Sequence, residues 1–79
     1  MNAYASSMTG ADLSHVDLRG ASLRGTDLSA ADLSSADLRE ADIIEVSFKA
    51  ADMSNADLRG AHLRSTEAAR AKLDNIRTR

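Results

Sequence analysis

The chain has 79 residues and a formal net charge of −2, with no Cys, no Trp, one Phe and one Tyr. These numbers allow one small domain and exclude both disulfide staples and thiolate metal sites; a core anchored on aromatic rings is excluded too. No apolar run approaches the ~20 residues of a membrane-spanning helix, and Met1–Gly10 has no signal-peptide pattern, so a cytoplasmic protein without membrane contact is expected.

Residues 1–5 read as a short N-terminal extension. From Ser6 onward a period of five begins. Apolar residues recur at Met8, Leu13, Leu18, Leu23, Leu28, Leu33, Leu38, Ile43, Phe48, Met53, Leu58 and Leu63. Two residues before each stands a small or β-branched residue, such as Ala11, Val16, Ala21 or Thr26. An α-helix advances about 500° in five residues, which scatters the leucines over every face. A flat strand fails as well, because an odd spacing sends successive leucines to opposite sides. Five residues suit a chain that turns a corner in every unit, with the Leu and Ala slots inward.

Gly10, Gly20, Gly25 and Gly60 share one slot, two after the apolar centre. A type II turn needs φ > 0 at its third residue, which favours Gly there. Ala30, Glu40, Glu45 and Ala50 hold the same slot elsewhere, and type I turns are expected at those corners.

These units resemble the pentapeptide-repeat family, with its motif [STAV]-[DN]-[LF]-[STR]-x. The match covers twelve units over residues 6–65. Ala31-Asp32-Leu33-Ser34-Ser35 and Ala56-Asp57-Leu58-Arg59-Gly60 fit throughout; Ile44, His62, Met8 and Met53 depart from it. The resemblance implies an all-β solenoid: a right-handed, four-sided parallel β-helix with twenty residues per coil, here about three coils. Residue n then lies under n+20, about 4.8 Å away. The expected core is Leu13, Leu18, Leu23, Leu28, Leu33, Leu38, Ile43, Phe48, Met53, Leu58 and Leu63.

The same register stacks Asp17, Asp37 and Asp57 beside Arg19, Arg39 and Arg59. Asp12, Asp32 and Asp52 form a second acidic column beside Ser14, Ser34 and Ser54. Like charges about 5 Å apart repel. The arginines relieve the first column, whereas serines carry no charge to relieve the second. Asp at this slot also suits Asx turns, accepting hydrogen bonds from turn amides.

After Ser65 the composition changes. Thr66 or Ser65 can cap a helix, Glu67 suits its positive end, and Ala69, Leu73 and Ile76 fall at i, i+4 and i+7. A short C-terminal α-helix over 66–77 is therefore expected, in a final segment 66–79 that caps the last coil or pairs two subunits. Family resemblance implies homodimerisation through such an element, with Ala69, Leu73 and Ile76 as its contacts. Between Ser6 and Ser65 ten acids face six bases; from Thr66 to Arg79 two acids face four bases. The body is mildly acidic and the tail mildly basic.

No phosphate loop or nucleophile motif is present, and His15 and His62 share no column. No catalytic residue, metal site or cofactor is expected, and no direct nucleic-acid binding. The expected partner is another protein, on a module that is an interaction or structural scaffold. The outward residues Asp12, Asp32, Asp52, Arg19, Arg39, Arg59 and Ile44 are the candidate contacts. The resemblance also implies an alternative: some family members mimic a DNA duplex and regulate DNA gyrase. The acidic columns and Glu40 would then supply the phosphate-like charge.

Overall fold

The computed structural model describes residues 6–78; the N-terminal extension expected at 1–5 lies outside them. The backbone winds as a four-sided solenoid. Parallel bridges join each outward Asp-slot residue to the one twenty positions on, from Ser7↔Asp27 through Asp32↔Asp52 to Asp57↔Arg77. Coil 1 spans residues 6–25, coil 2 residues 26–45, coil 3 residues 46–65, and coil 4 the remainder. One face carries a longer pairing, between β1 (Asp42–Ile44) and β2 (His62–Arg64), in the register Ile43↔Leu63.

A repeating set of backbone hydrogen bonds builds each face. Leu33 N donates to Asp52 O at 2.7 Å, Asp52 N to Ala31 O at 2.9 Å, and Ser35 N to Ser54 O at 2.8 Å. A bond inside each unit closes the corner, as from Ala36 N to Leu33 O at 3.0 Å. The corner residue has positive φ throughout, including His15, Ala30, Glu40, Glu45 and Ala50 at +56° to +60°. The type I turns expected at Ala30, Glu40, Glu45 and Ala50 are thus not formed. A left-handed corner re-aims the next amide onto the neighbouring coil. That ladder outweighs a conformational cost of about 1–2 kcal/mol at each non-glycine corner.

The core is a set of vertical stacks. Leu18, Leu23, Leu28, Leu33, Leu38, Ile43, Phe48, Met53 and Leu58 are all at most 6 % exposed. The small residues of the other inward slot, from Ala21 to Ala56, are buried with them. Small side chains at that slot leave room for the leucines to interdigitate. Two expected core residues are not enclosed: Leu13 is half-buried and Leu63 is 48 % exposed. Both point inward, but among the described residues the column of Leu13 begins at Leu13 and that of Leu63 ends at Leu63, so each is covered from one side only.

The C-terminal helix expected over 66–77 is absent. Those residues continue the solenoid as coil 4, through the bridges Ser47↔Glu67, Asp52↔Lys72 and Asp57↔Arg77. The β-helix therefore runs past Ser65 to the end of the described residues. The reason lies in the edge of coil 3. Phe48 N, Met53 N and Leu58 N donate to Glu67 O, Lys72 O and Arg77 O at 2.7–2.8 Å. A helix would leave those amides unpaired beside an open apolar core. Ala68, Leu73 and Thr78 hold the apolar-centre slots of coil 4, and Thr66, Ala71 and Ile76 the small inward ones. The spacing of five outlasts the consensus wording.

Candidate functional site

The most ordered surface feature is an Asp–Arg staircase along one edge. Each Arg follows its Asp by two residues, across the bend that leads into a corner, so both side chains project from the same side. Arg19, Arg39 and Arg59 each grip their own Asp with Nε and Nη2, at 2.9 and 2.8 Å, 2.9 and 2.7 Å, and 2.9 and 2.6 Å respectively. Arg19 Nε also lies 3.8 Å from Asp37 Oδ2, and Arg39 Nε 3.9 Å from Asp57 Oδ2. The row is thus cross-linked between coils by forked guanidinium contacts. Those hydrogen bonds, chiefly from Arg19 and Arg59, pull the Asp17 and Asp57 carboxyls down to about 2, and Arg39 lowers Asp37.

The Asp12/Asp32/Asp52 column is organised differently. Ser14 and Ser34 donate their hydroxyls to Asp12 and Asp32 at 2.8 and 2.6 Å. The amides of Ser14, Ser34 and Ser54 donate to the same column at 3.0–3.2 Å. These are the Asx turns expected from the sequence. The serine contacts keep the Asp12 carboxyl below its ordinary range. Stability here comes from local hydrogen bonds, with no arginine row to compensate the charge.

Ile44 is half-buried, in β1, between Arg24 and Arg64 in its column. Arg24 reaches Asp42 at 3.3 Å, and the depression beside them is also lined by His62 and Arg64. The candidate contacts therefore fall on separate faces: Asp12, Asp32 and Asp52 on one, the arginine staircase on the next, Ile44 on a third. The proposed dimer contacts are separated too. Ala69 points outward and is exposed, Leu73 is 43 % exposed at the open end, and Ile76 is half-buried against the core. With no helix, they form no common stripe.

Charge is sorted between the coils. Coil 2 carries Asp27, Asp32, Asp37, Glu40, Asp42 and Glu45 against Arg39 alone, whereas coil 1 is balanced and coils 3 and 4 are net basic. Coil 4 also changes sign at two of its acid slots, placing Lys72 above Asp52 and Arg77 above Asp57, while Glu67 holds a third. The Asp12/Asp32/Asp52 and Asp17/Asp37/Asp57 columns thereby end on cations. Among the described residues no cluster of three or more His, Asp or Glu is arranged to hold a metal, and no helix is long and apolar enough to cross a membrane.

The pentapeptide-repeats family pattern matches in eight copies, over residues 6–43 and 41–77. The second stretch includes coil 4. A pentapeptide repeat protein from Nostoc, alr5209, is similar in structure, with a TM-score of 0.91 and 36 % identity over 95 % of this chain and 62 % of its own. Rfr23 from Cyanothece has a TM-score of 0.61 and 25 % identity, over 99 % of this chain and 57 % of its own. HetL from Nostoc, described as involved in heterocyst differentiation regulation, has a TM-score of 0.66 and 26 % identity, over 96 % and 46 %. This chain thus spans about half to two thirds of the length of those proteins. No curated protein matches it. The repeat, the stacked bridges and these likenesses together make the fold a right-handed β-helix, and the chain belongs to the pentapeptide-repeat family.

Proposed function

We propose that the chain is a non-enzymatic scaffold whose faces bind another protein. The observation that carries this reading is the pre-organisation of the outward side chains. Forked Asp–Arg pairs and Asx turns hold them in rows at the coil repeat, so a partner meets fixed charges and orders few side chains. The coil 2 acidic belt beside the arginine staircase supplies a patterned surface for electrostatic recognition. HetL is described as involved in the regulation of a differentiation process, a role in keeping with a binding module. The test is cross-linking and affinity capture from the source cells. Wild-type chain is compared with Arg39→Ala and with an Asp27→Asn/Asp32→Asn double variant. A partner retained by wild-type and lost from a face variant supports the reading; identical capture by all three chains contradicts it.

The same belt supports a second reading, a DNA-mimic regulator of gyrase. Against it, Asp17, Asp37 and Asp57 are neutralised by their own arginines, and coils 3 and 4 are basic. A supercoiling assay with purified gyrase separates the two readings. Inhibition or protection at near-stoichiometric amounts favours mimicry, and none at large excess removes it.

A further inference from the structure

The two ends of the solenoid are complementary. The C-terminal end is an open apolar face, with a hollow of about 300 Å³ lined in part by Phe48, Leu63, Ala68, Leu73 and Ile76. Leu63 and Leu73 are its exposed large hydrophobic residues. The hollow exists because Ala68 occupies the column where Leu28 and Phe48 stand below it. At the N-terminal end, Met8, Leu13 and Val16 are only partly buried against the core.

We propose that a second copy of this chain stacks head to tail on this face, its coil 1 continuing the β-helix beyond coil 4. Three independent features match. The first is apolar: in the twenty-residue register the second copy's Met8 lies over Ala68 and fills the dent, and its Leu13 lies over Leu73. The second is the backbone. Among the described residues, the amides of Ala68, Arg70, Leu73 and Asn75 have no backbone acceptor. Their counterparts one coil below, Phe48, Ala50, Met53 and Asn55, donate to the next coil at 2.7–2.9 Å. The second copy's Ser7, Thr9, Asp12 and Ser14 carbonyls present the same acceptors in the same slots.

The third feature is charge, and it selects the orientation. The upper rim carries Lys72 and Arg77 at two of the acid slots and Glu67, already paired with Lys49 at 3.5 Å, at a third; the lower rim carries Asp12 and Asp17 beside the neutral Ser7. Head-to-tail stacking sets Lys72 between Asp52 and the second copy's Asp12, and Arg77 between Asp57 and the second copy's Asp17. Top-to-top pairing offers Lys72 and Arg77 no acid at these slots but Glu67, which Lys49 already engages, and bottom-to-bottom offers Asp12 and Asp17 no cation there. A two-fold dimer through either end is thus disfavoured. A head-to-tail contact does not close on itself, so it produces open-ended growth.

The test is sedimentation velocity over a concentration series, at low and at high salt. The expected result is a mass that climbs through dimer and trimer without a plateau and falls with added salt. Lys72→Glu/Arg77→Glu is expected to raise the concentration needed for association by about tenfold or more. Asp12→Lys/Asp17→Lys is expected to do the same. Mixing the two variants restores growth, because each reversed rim then meets its complement. Asp12→Asn keeps the Asx acceptor and so preserves the corner; it weakens association with an unchanged circular dichroism spectrum. A single dimer that stops growing, a monomer at every concentration, or association indifferent to rim reversal would each overturn the proposal.

Discussion

Consider Leu38→Ala measured against Leu63→Ala. Both side chains point inward in the same slot of the repeat. Leu38 is fully buried, between Leu18 and Leu58 in its column, whereas Leu63 is 48 % exposed. Truncating a fully enclosed leucine removes its transfer energy and leaves a cavity, at a cost of about 2–5 kcal/mol. Leu63 has already lost about half of its burial and opens no closed cavity, so its truncation costs about 1 kcal/mol or less. A chain of this size has a total stability of roughly 4–12 kcal/mol, so Leu38→Ala removes a large part of it. At about 4–8 °C per kcal/mol the melting midpoint falls by about 8–40 °C. The assay is urea denaturation followed by circular dichroism, at concentrations low enough to keep the chain monomeric. Equal losses for the two variants, or a larger loss for Leu63→Ala, would refute the placement of Leu63 at the uncovered end of its column.

Further outcomes follow from the corners, the acids and the last coil. Gly60→Ala destabilises more than Gly20→Ala: both sit at φ near +70°, but only at position 60 does a new Cβ meet Glu40 Cγ, at 3.0 Å. Chemical denaturation of the two variants checks the order; the shared conformational part is about 1 kcal/mol. The Asp17 and Asp57 carboxyls titrate near 2 in the folded chain, below the 3.8 of an unperturbed Asp. The unfolded chain therefore binds these protons first, and stability present above pH 4 declines as pH falls towards 2. Melting temperature against pH shows that slope, and Asp17→Asn/Asp57→Asn flattens it. Deleting residues 66–79 uncovers Phe48, Met53 and Leu58 and strips their ladder acceptors. It lowers the melting midpoint steeply and promotes aggregation at the new edge, as read by light scattering.

Much of the fold was legible because one period governs it. The slots of Leu18, Leu38 and Leu58 could be stacked from the sequence alone, and the Asp17–Arg19 contacts followed from their spacing. The errors arose where two readings of the same letters competed. Thr66 to Arg77 is rich in helix-forming Ala, Arg and Lys, and local propensity favoured a helix there. The exposed edge of coil 3 outweighed that propensity. Asn75, in the corner slot and of a type that tolerates positive φ, was the available signal. Glu40 and Ala50 gave no sign of positive φ, because the demand comes from the neighbouring coil and not from their own side chains. The charge sorting between coils was equally invisible in a linear count. It emerges only when residues are grouped by twenties, which also shows Lys72 and Arg77 replacing aspartates on the last rim.

The continuous β-helix through coil 4 is best tested by solution NMR on the labelled chain. Parallel contacts between residues n and n+20 are expected without interruption, ending with Asp52–Lys72 and Asp57–Arg77, together with couplings diagnostic of positive φ at Arg70 and Asn75. Sequential i, i+3 contacts of an α-helix across 66–77, with no n+20 contacts there, would contradict the account.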